Sequence, residues 1–390
     1  MSVLIEKATR QHTKTHNSTL VLRAIYEQGG ISRAEIARMT SLTRATVSEV
    51  VGELIERGLV VETGHGPSNV GRTPVMLDID ADARHMIGLD AAGGELRGAL
   101  VNLRGELRYE QAAPLPEAGG EAALQSLYAL IDALIARTDR PLLGIGLGTP
   151  GLIDPSGEVL RAVNLGWQNL PLRAVLRQRY DLPVYLANDS HLAALAEQSF
   201  GGHELGENLV VLQVGRGIGA GIVLGGRLFS GDTGNAGEIG HIVVREDGPR
   251  CRCGNDGCLE AVASSRAITR RASQLAGQTF QSLQDVAQAS AAENPAARRA
   301  IHEAGSALGI AVAQIVGLLN IRRVVVAGPV AALGDGLRDA ITTSLTTRLI
   351  GALAKDVRIS IGGIGPDAVL LGASALVLSS ELGLPLLRRP

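Results

Sequence analysis

The chain has 390 residues and balances 37 Lys/Arg against 39 Asp/Glu, a formal charge of −2. This length exceeds one ordinary core and implies two or three domains, while the balanced charge excludes a wholesale electrostatic grip on nucleic acid, so any such role must rest on local features. Hydrophobic residues make up 45% and aromatics 2%, no uninterrupted apolar run reaches the roughly 18 residues that span a bilayer, and the start lacks the apolar core of a secretory signal; a soluble, cytoplasmic α/β protein with no membrane role is expected.

Residues 1–16 are expected to form a loose arm with Lys7, Arg10 and Lys14. Leu20, Val21, Ala24 and Ile25 then follow helical spacing up to Gly29-Gly30. Ser32 caps a short helix from Arg33 to Met39, with Glu35 completing a capping box. After the turn Thr40-Ser41-Leu42, a second helix runs from Thr43 to Arg57 and turns Val47, Val50, Val51, Leu54 and Ile55 inward; Gly58 stops it. Leu59–Glu62 and Val75–Leu77 read as strands around a Gly/Pro-rich loop, 64–74. Helix, helix-turn-helix and hairpin make residues 1–80 a winged helix-turn-helix. The second helix of such a pair sets its N-terminal residues against base edges in the major groove. Thr43, Arg44, Thr46 and Ser48 supply donors and acceptors there, Arg44 being the natural reader of guanine. Arg33 joins this DNA-facing set, and Arg72 at the wing tip suits phosphate or the minor groove. The competing reading is a small dimerisation module, since residues 1–80 hold nine basic and nine acidic side chains. Up to Arg44, however, seven are basic and three acidic, and Glu49, Glu53, Glu56 and Glu62 lie beyond the reading end.

Asp78–Arg84 reads as a linker. A strand hairpin follows, Met86 to Asp90 and then the run through Ala99-Leu100-Val101. Gly144–Gly151 is a strand entering a tight turn, Gly148-Thr149-Pro150-Gly151. Pro183–Asn188 is a strand ending in Asn188-Asp189, before a helix from His191 to about Phe200. Asp189 is either a helix cap or an acceptor for a ligand hydroxyl. Leu209–Leu224 reads as two strands around Gly215-Arg216-Gly217-Ile218-Gly219. Residues 264–320 are mostly helical, Ile321–Ala327 is a buried strand turning at Gly328-Pro329, and Leu371–Leu378 begins a closing helix.

All three cysteines fall between Glu238 and Glu260, at Cys251, Cys253 and Cys258. Clustered cysteines in a reducing compartment point to a metal rather than to disulfides. With His241 they make a Cys3His set for one structural zinc, closed to a reacting water; the alternative is three buried thiols and an unrelated histidine.

Glu238-Ile239-Gly240-His241 followed by Cys-x-Cys-Gly-x-x-Gly-Cys-x-Glu260 resembles the ROK family, which unites bacterial sugar kinases with sugar-responsive repressors. The resemblance runs from about His85 to the C-terminus, and Ser-Arg-Ala-Glu-Ile-Ala…Thr-Arg-Ala-Thr-Val-Ser also resembles the reading head of its repressors. It implies a two-lobed, actin-like and ribonuclease H-like sugar-kinase fold, with a first lobe over 85–200, a second over 201–390 and a last helix returning to the first. It implies sugar contacts from Asn188, Asp189, Glu238, His241 and Glu260. The family kinases receive ATP phosphates on Asp-x-Gly-x-Thr and Gly-Thr-Gly-x-Gly, where this chain reads Asp90-Ala91-Ala92-Gly93-Gly94 and Gly215-Arg216-Gly217-Ile218-Gly219; Pro329 departs from a third, glycine-rich contact. The expectation is a sugar-responsive repressor without catalytic residues, a homodimer or homotetramer that binds an inverted-repeat operator in double-stranded DNA and is released by a monosaccharide. The rival is an ATP-dependent sugar kinase or a bifunctional kinase-regulator.

Overall fold

The computed structural model describes residues 10–66, 73–92, 94–201 and 207–385; Lys7 and Arg72 lie outside them. Helix α1 spans Arg10–Gln28, so the stretch expected to be a loose arm is helical from Arg10 onward. Lys14 pairs with Glu53 at 2.6 Å, which ties that end to the third helix. Strand β1 (Ile31–Ser32) leads into α2 (Arg33–Thr40), where Ser32 and Glu35 form the expected capping box. Helix α3 (Arg44–Glu56) is capped by the Thr43 side chain and buries Val47, Val50, Val51 and Leu54. Strands β2 (Val60–His65) and β3 (Val75–Ile79) form the wing. Strand β1, not anticipated from the pattern of residues, pairs Ile31 and Ser32 with Leu77 and Met76 and makes the wing three-stranded.

A five-stranded sheet follows. Strands β4 (His85–Asp90), β5 (Glu95–Asn102) and β6 (Leu107–Pro114) form an antiparallel meander, under α4 (Gly120–Ile135). Strand β7 (Leu142–Thr149) joins β4 in parallel. A small sheet of β8 (Leu152–Ile153), β9 (Val159–Ala162) and β10 (Trp167–Leu170) intervenes before α5 (Leu172–Tyr180). Strand β11 (Val184–Asn188) closes the large sheet beside β7, and α6 (Asp189–Phe200) follows at once.

The plan then repeats. Strands β12 (Leu209–Val214), β13 (Ile218–Leu224) and β14 (Arg227–Phe229) form a second antiparallel meander. After α7 (Leu259–Ala263), α8 (Ser265–Ala276), α9 (Leu283–Ala291) and α10 (Pro295–Leu319), strand β15 (Arg323–Ala327) joins β12 in parallel. Helices α11 (Gly334–Thr346) and α12 (Gly351–Ala354) lead to β16 (Arg358–Ile361), and α13 (Ala368–Leu382) is the last helix among the described residues. The two large sheets share one strand order, three meander strands and then two parallel ones, and this is the duplication of an actin-like fold.

Helices α6 and α13 pack on each other between the sheets, α13 against β4 and β7, and α6 against β12 and β13. Close approach depends on missing side chains: a Cβ at Gly146 would collide with the Ala373 carbonyl, and one at Gly372 with that of Leu192. Helix α10 is long and apolar enough to cross a membrane by length and composition. Its apolar side is instead buried with α8, α11 and the strands β12 and β15.

The head is not carried on a loose linker. Asp78 and Ile79 belong to β3, Ala83 is buried, and one apolar cluster runs from Val21, Ile25 and Tyr26 of α1 to Met86, Val101 and Leu103 of the first sheet. Tyr26 donates its hydroxyl to the Leu103 carbonyl at 2.9 Å. Arg104 donates to the Tyr26 carbonyl and to Asp78, both at 2.6 Å, with its guanidinium 4.5 Å from the Tyr26 ring centre. A flexible connector exposes its backbone, whereas this one is consumed by the junction it forms.

Candidate functional site

His241 ends a short turn over Ile239–His241, and the cysteines arrive on the irregular loop before α7. The side-chain donors of His241, Cys251, Cys253 and Cys258 all lie within 4.8 Å of one another. His241 Nδ1 is 3.6 Å from Cys251 Sγ, and Cys253 Sγ is 3.6 Å from Cys258 Sγ. Tetrahedral zinc, with bonds of about 2.0–2.3 Å, sets its donors roughly 3.5–3.8 Å apart, so the cluster has the size that a metal of this kind demands. Burial and the neighbouring thiols push Cys258 up to about 12. Three thiolates gather here only if a cation neutralises them. Gly257, with φ of +71°, lets the loop lie against the Arg245 carbonyl where any Cβ would collide.

Beside the cluster is a line of carboxylates. Parallel pairing sets Asp90 opposite Gly148 and Thr149 opposite Asn188, so the carboxyl ends of β4, β7 and β11 open together. Ligands of α/β sheets lodge at such ends. Asp189 is the first residue of α6 and half-buried. Burial pushes its carboxyl up to about 7, and the nearby charges of Asp90 and Glu238 add to the push. Asp90 is raised for the same first reason, against a hydrogen bond from the Ala92 N–H at 2.8 Å. Glu238 is raised by burial and by Glu260, with His241 opposing. Glu260 accepts from the Ile218 N–H at 3.3 Å. Asp189, Glu238, His241 and Glu260 are therefore neighbours, although 71 residues separate the first from the last.

Two residues of this cleft differ from expectation. Asp90, read from the sequence only as part of a phosphate hairpin, acts electrostatically on Asp189; an aspartate at the end of an apolar strand, much as Asp189 follows β11, was the available signal. Both polar atoms of Asn188 already have partners, and one Nδ2 hydrogen is left for a ligand. Its Oδ1 caps α6 by accepting from the Ser190 N–H at 2.9 Å, and its Nδ2 donates to the Gly151 carbonyl at 3.1 Å. The helix cap is thus Asn188, not Asp189, and the asparagine holds the Gly148–Gly151 turn against α6. Trp167 is buried and donates its indole N–H to the Gly120 carbonyl at 2.9 Å, so it packs. His191, which the sequence did not single out, joins α6 to the Ala236 carbonyl at 2.7 Å, just before Glu238.

The glycine-rich loop after β12 closes one wall. An ideal Cβ on Gly215 would stand 3.4 Å from Pro329 Cδ, and one on Gly94 would stand 2.8 Å from Arg216 Nη1. The three segments that depart from the kinase pattern therefore meet in space.

On the head, Arg44 and Ser48 are exposed on α3, and among the described residues no side-chain partner holds Arg44. Thr43 Oγ1 caps the helix through the Thr46 N–H at 3.1 Å and lies 2.8 Å from Thr46 Oγ1. Arg33 is paired with Glu62 of β2 at 3.0 Å. A base-reading role for Thr43 or Arg33 therefore competes with a structural one, while Arg44 and Ser48 stand clear.

Residues 86–380 match the ROK family and residues 15–67 match the MarR family. A xylose repressor of Caldicellulosiruptor bescii is 35% identical over 95% of this chain and 98% of its own. An N-acetylglucosamine repressor of Escherichia coli O157:H7 is 32% identical over 95% and 94%. The crystal structure of a ROK family transcriptional regulator, a homologue of the E. coli MLC protein, superposes with a TM-score of 0.83 at 29% identity, over 95% of this chain and 97% of that one. With one family spanning both large sheets and a MarR-type winged helix-turn-helix ahead of them, the chain belongs to the ROK family.

Proposed function

We propose that this protein is a sugar-responsive transcriptional repressor. The observation that carries the reading is the union, in one chain of this family, of an exposed recognition helix with an acid-lined cleft at the carboxyl ends of β4, β7 and β11. Arg44 and Ser48 read the major groove of operator DNA, supported by Thr43, Thr46 and Arg33. Asp189, Glu238, His241 and Glu260 hydrogen-bond the hydroxyls of a monosaccharide, with Asn188 positioning the adjoining turn. The relatives' names include two different sugars, and the reading stops at the class.

Zinc fits the Cys3His cluster; held there it neutralises the thiolates and stiffens the loop between Glu238 and Glu260. His241 presents Nδ1 to the cluster, which leaves Nε2 for a ligand hydroxyl. Two copies of the chain place two heads on an inverted repeat. Sugar closing the cleft favours one arrangement of the heads by its differential affinity for the two states.

The reading excludes catalysis, because Ala92 and Gly94 stand where the kinases carry a glycine and a threonine for phosphate, Arg216 reaches towards that turn, and Pro329 lies against the Gly215 loop. The rival, a kinase, draws on Asp189, whose carboxyl at about 7 suits a general base at neutral pH. The test is an operator titration with and without monosaccharides, alongside an assay for ADP. Sugar-dependent release without ADP supports the repressor; sugar-dependent ADP formation that vanishes in Asp189→Asn refutes the exclusion.

A further inference from the structure

The small sheet of β8, β9 and β10 belongs to the first lobe. Its residues Ile153, Val159, Ala162, Leu165 and Trp167 are buried in the apolar core of that lobe. Gly151, with φ of +91°, seats the entry to the sheet against the Arg161 carbonyl, where any Cβ would collide. The Asn188 side chain holds the same turn from the start of α6. The small sheet is therefore fixed to the first lobe and moves with it.

The second lobe grips this sheet at two places. On the loop after β14, Asn235 Oδ1 accepts from the Ile153 N–H of β8 at 3.0 Å, while Asn235 Nδ2 donates to the Thr233 carbonyl at 2.9 Å. The two chains run close here, since a Cβ on Gly234 would stand 3.1 Å from the Ile153 carbonyl. On the cysteine loop, Arg252 donates from Nη1 to Asn164 Oδ1 at 3.3 Å. Asn164 belongs to the turn Val163–Leu165 between β9 and β10, and both it and Arg252 are exposed. Asn235 and Arg252 stand on either side of the stretch that carries Glu238 and His241.

The floor of the cleft is divided in the same way, with Asp189 on the first lobe and Glu238, His241 and Glu260 on the second. Parting the lobes about α6 and α13, which pack on each other between the sheets, separates both grips. Exposed hydrogen bonds are individually weak, because water replaces each lost partner. Two of them resist opening without preventing it.

We propose that Arg252–Asn164 and Asn235–Ile153 form a two-point latch between the lobes, which sets how often the cleft opens and so how fast its ligand leaves. The consequence for a ligand rests on the reading of the cleft as a sugar site; the latch itself does not.

Hydrogen exchange on the sugar-free, full-length protein tests the latch directly, because the Ile153 amide becomes exchangeable when its bond to Asn235 opens. Arg252→Ala and Asn164→Leu should each speed exchange at Ile153 by about fivefold or more, although neither residue touches it, and the double variant should be no faster than either single one. Asn164→Asp, which gives the guanidinium a carboxylate partner, should slow it. Arg250→Ala, on the same loop but paired with Asp256, should leave it unchanged. Unchanged exchange at Ile153 in Arg252→Ala, or equal acceleration in Asn164→Leu and Asn164→Asp, overturns the latch. Exchange NMR with carbon-13-labelled xylose, glucose and N-acetylglucosamine then reads release: a sugar that binds should leave Arg252→Ala at least about threefold faster than wild type. An unchanged release rate overturns the gating of the ligand. If none of the three sugars binds, the sugar reading fails, and exchange at Ile153 alone upholds or overturns the latch.

Discussion

Replacing Arg104 with alanine tests whether the reading head and the first sheet move as one body. Arg104 sits on the β5–β6 turn, and its side chain is 12% exposed. It donates to Asp78 of the wing and to the Tyr26 carbonyl of α1, both at 2.6 Å, and stacks 4.5 Å above the Tyr26 ring. Removing one member of a largely buried, charge-assisted pair costs about 3–5 kcal/mol, and a stacked cation adds roughly 0.5–2 kcal/mol. Even 3 kcal/mol changes the ratio of docked to undocked head about 150-fold. Strand β5 runs from Glu95, at the cleft end of the sheet, to Asn102, beside Arg104. A rearrangement at the cleft thus reaches the head through one strand and its turn. Arg104→Ala is expected to bind operator within a few-fold of wild type, because α3 is untouched, yet to lose most of its release by sugar. Thermal melting should split into two transitions. Tyr26→Phe, which deletes only the hydroxyl donated to Leu103, should cost about 1 kcal/mol and reduce the response partially. An operator titration in which Arg104→Ala keeps the full sugar response, with one unshifted melting transition, would refute the rigid junction.

Metal analysis of purified protein should find about one zinc per chain; Cys251→Ala should lose metal and sugar affinity together, and metal-free wild type that binds sugar normally contradicts the stiffening role. Arg44→Ala should cost roughly 1–3 kcal/mol of operator affinity and relax preference at one base position, whereas unchanged affinity and preference in a binding-site selection would remove α3 from the interface. Asp189 rises from an ordinary 3.8 to about 7, so its protonated form is the one the folded state favours. Its contribution to stability is full below pH 3.8 and is lost as pH rises through 7, a swing of up to about 4 kcal/mol. Asp189→Asn should accordingly melt higher than wild type at pH 8, with the gap narrowing to less than half at pH 5 in the absence of ligand, and a constant difference across that range would show that the carboxyl titrates normally.

Much of this molecule is legible in the sequence because it is local. The Ser32–Glu35 capping box, the inward stripe Val47, Val50, Val51 and Leu54, and the close spacing of Cys251, Cys253 and Cys258 are short-range patterns, set by helical periodicity and by the low entropy of gathering near ligands. The family resemblance extended that reach to the sugar residues and to the repeated lobes. Tertiary structure alone decided the rest. Strand β1 is two residues long and has no periodicity to read; only its partner β3 makes it a strand. Asp78–Arg84 is polar enough to pass for a linker, and becomes a junction because Arg104, 20 residues past its end, ties Asp78 to the Tyr26 carbonyl, 52 residues before its start. Asn188 looked like a free contact until α6 and Gly151 were seen to use both its polar atoms. Asp90 meets Asp189, and Arg216 meets Gly94, across more than 90 residues. Local patterns are dictated by neighbours along the chain, but the pKa of a carboxylate and the freedom of a donor depend on whatever the fold brings within a few ångströms, and a single sequence carries no distance information at that range.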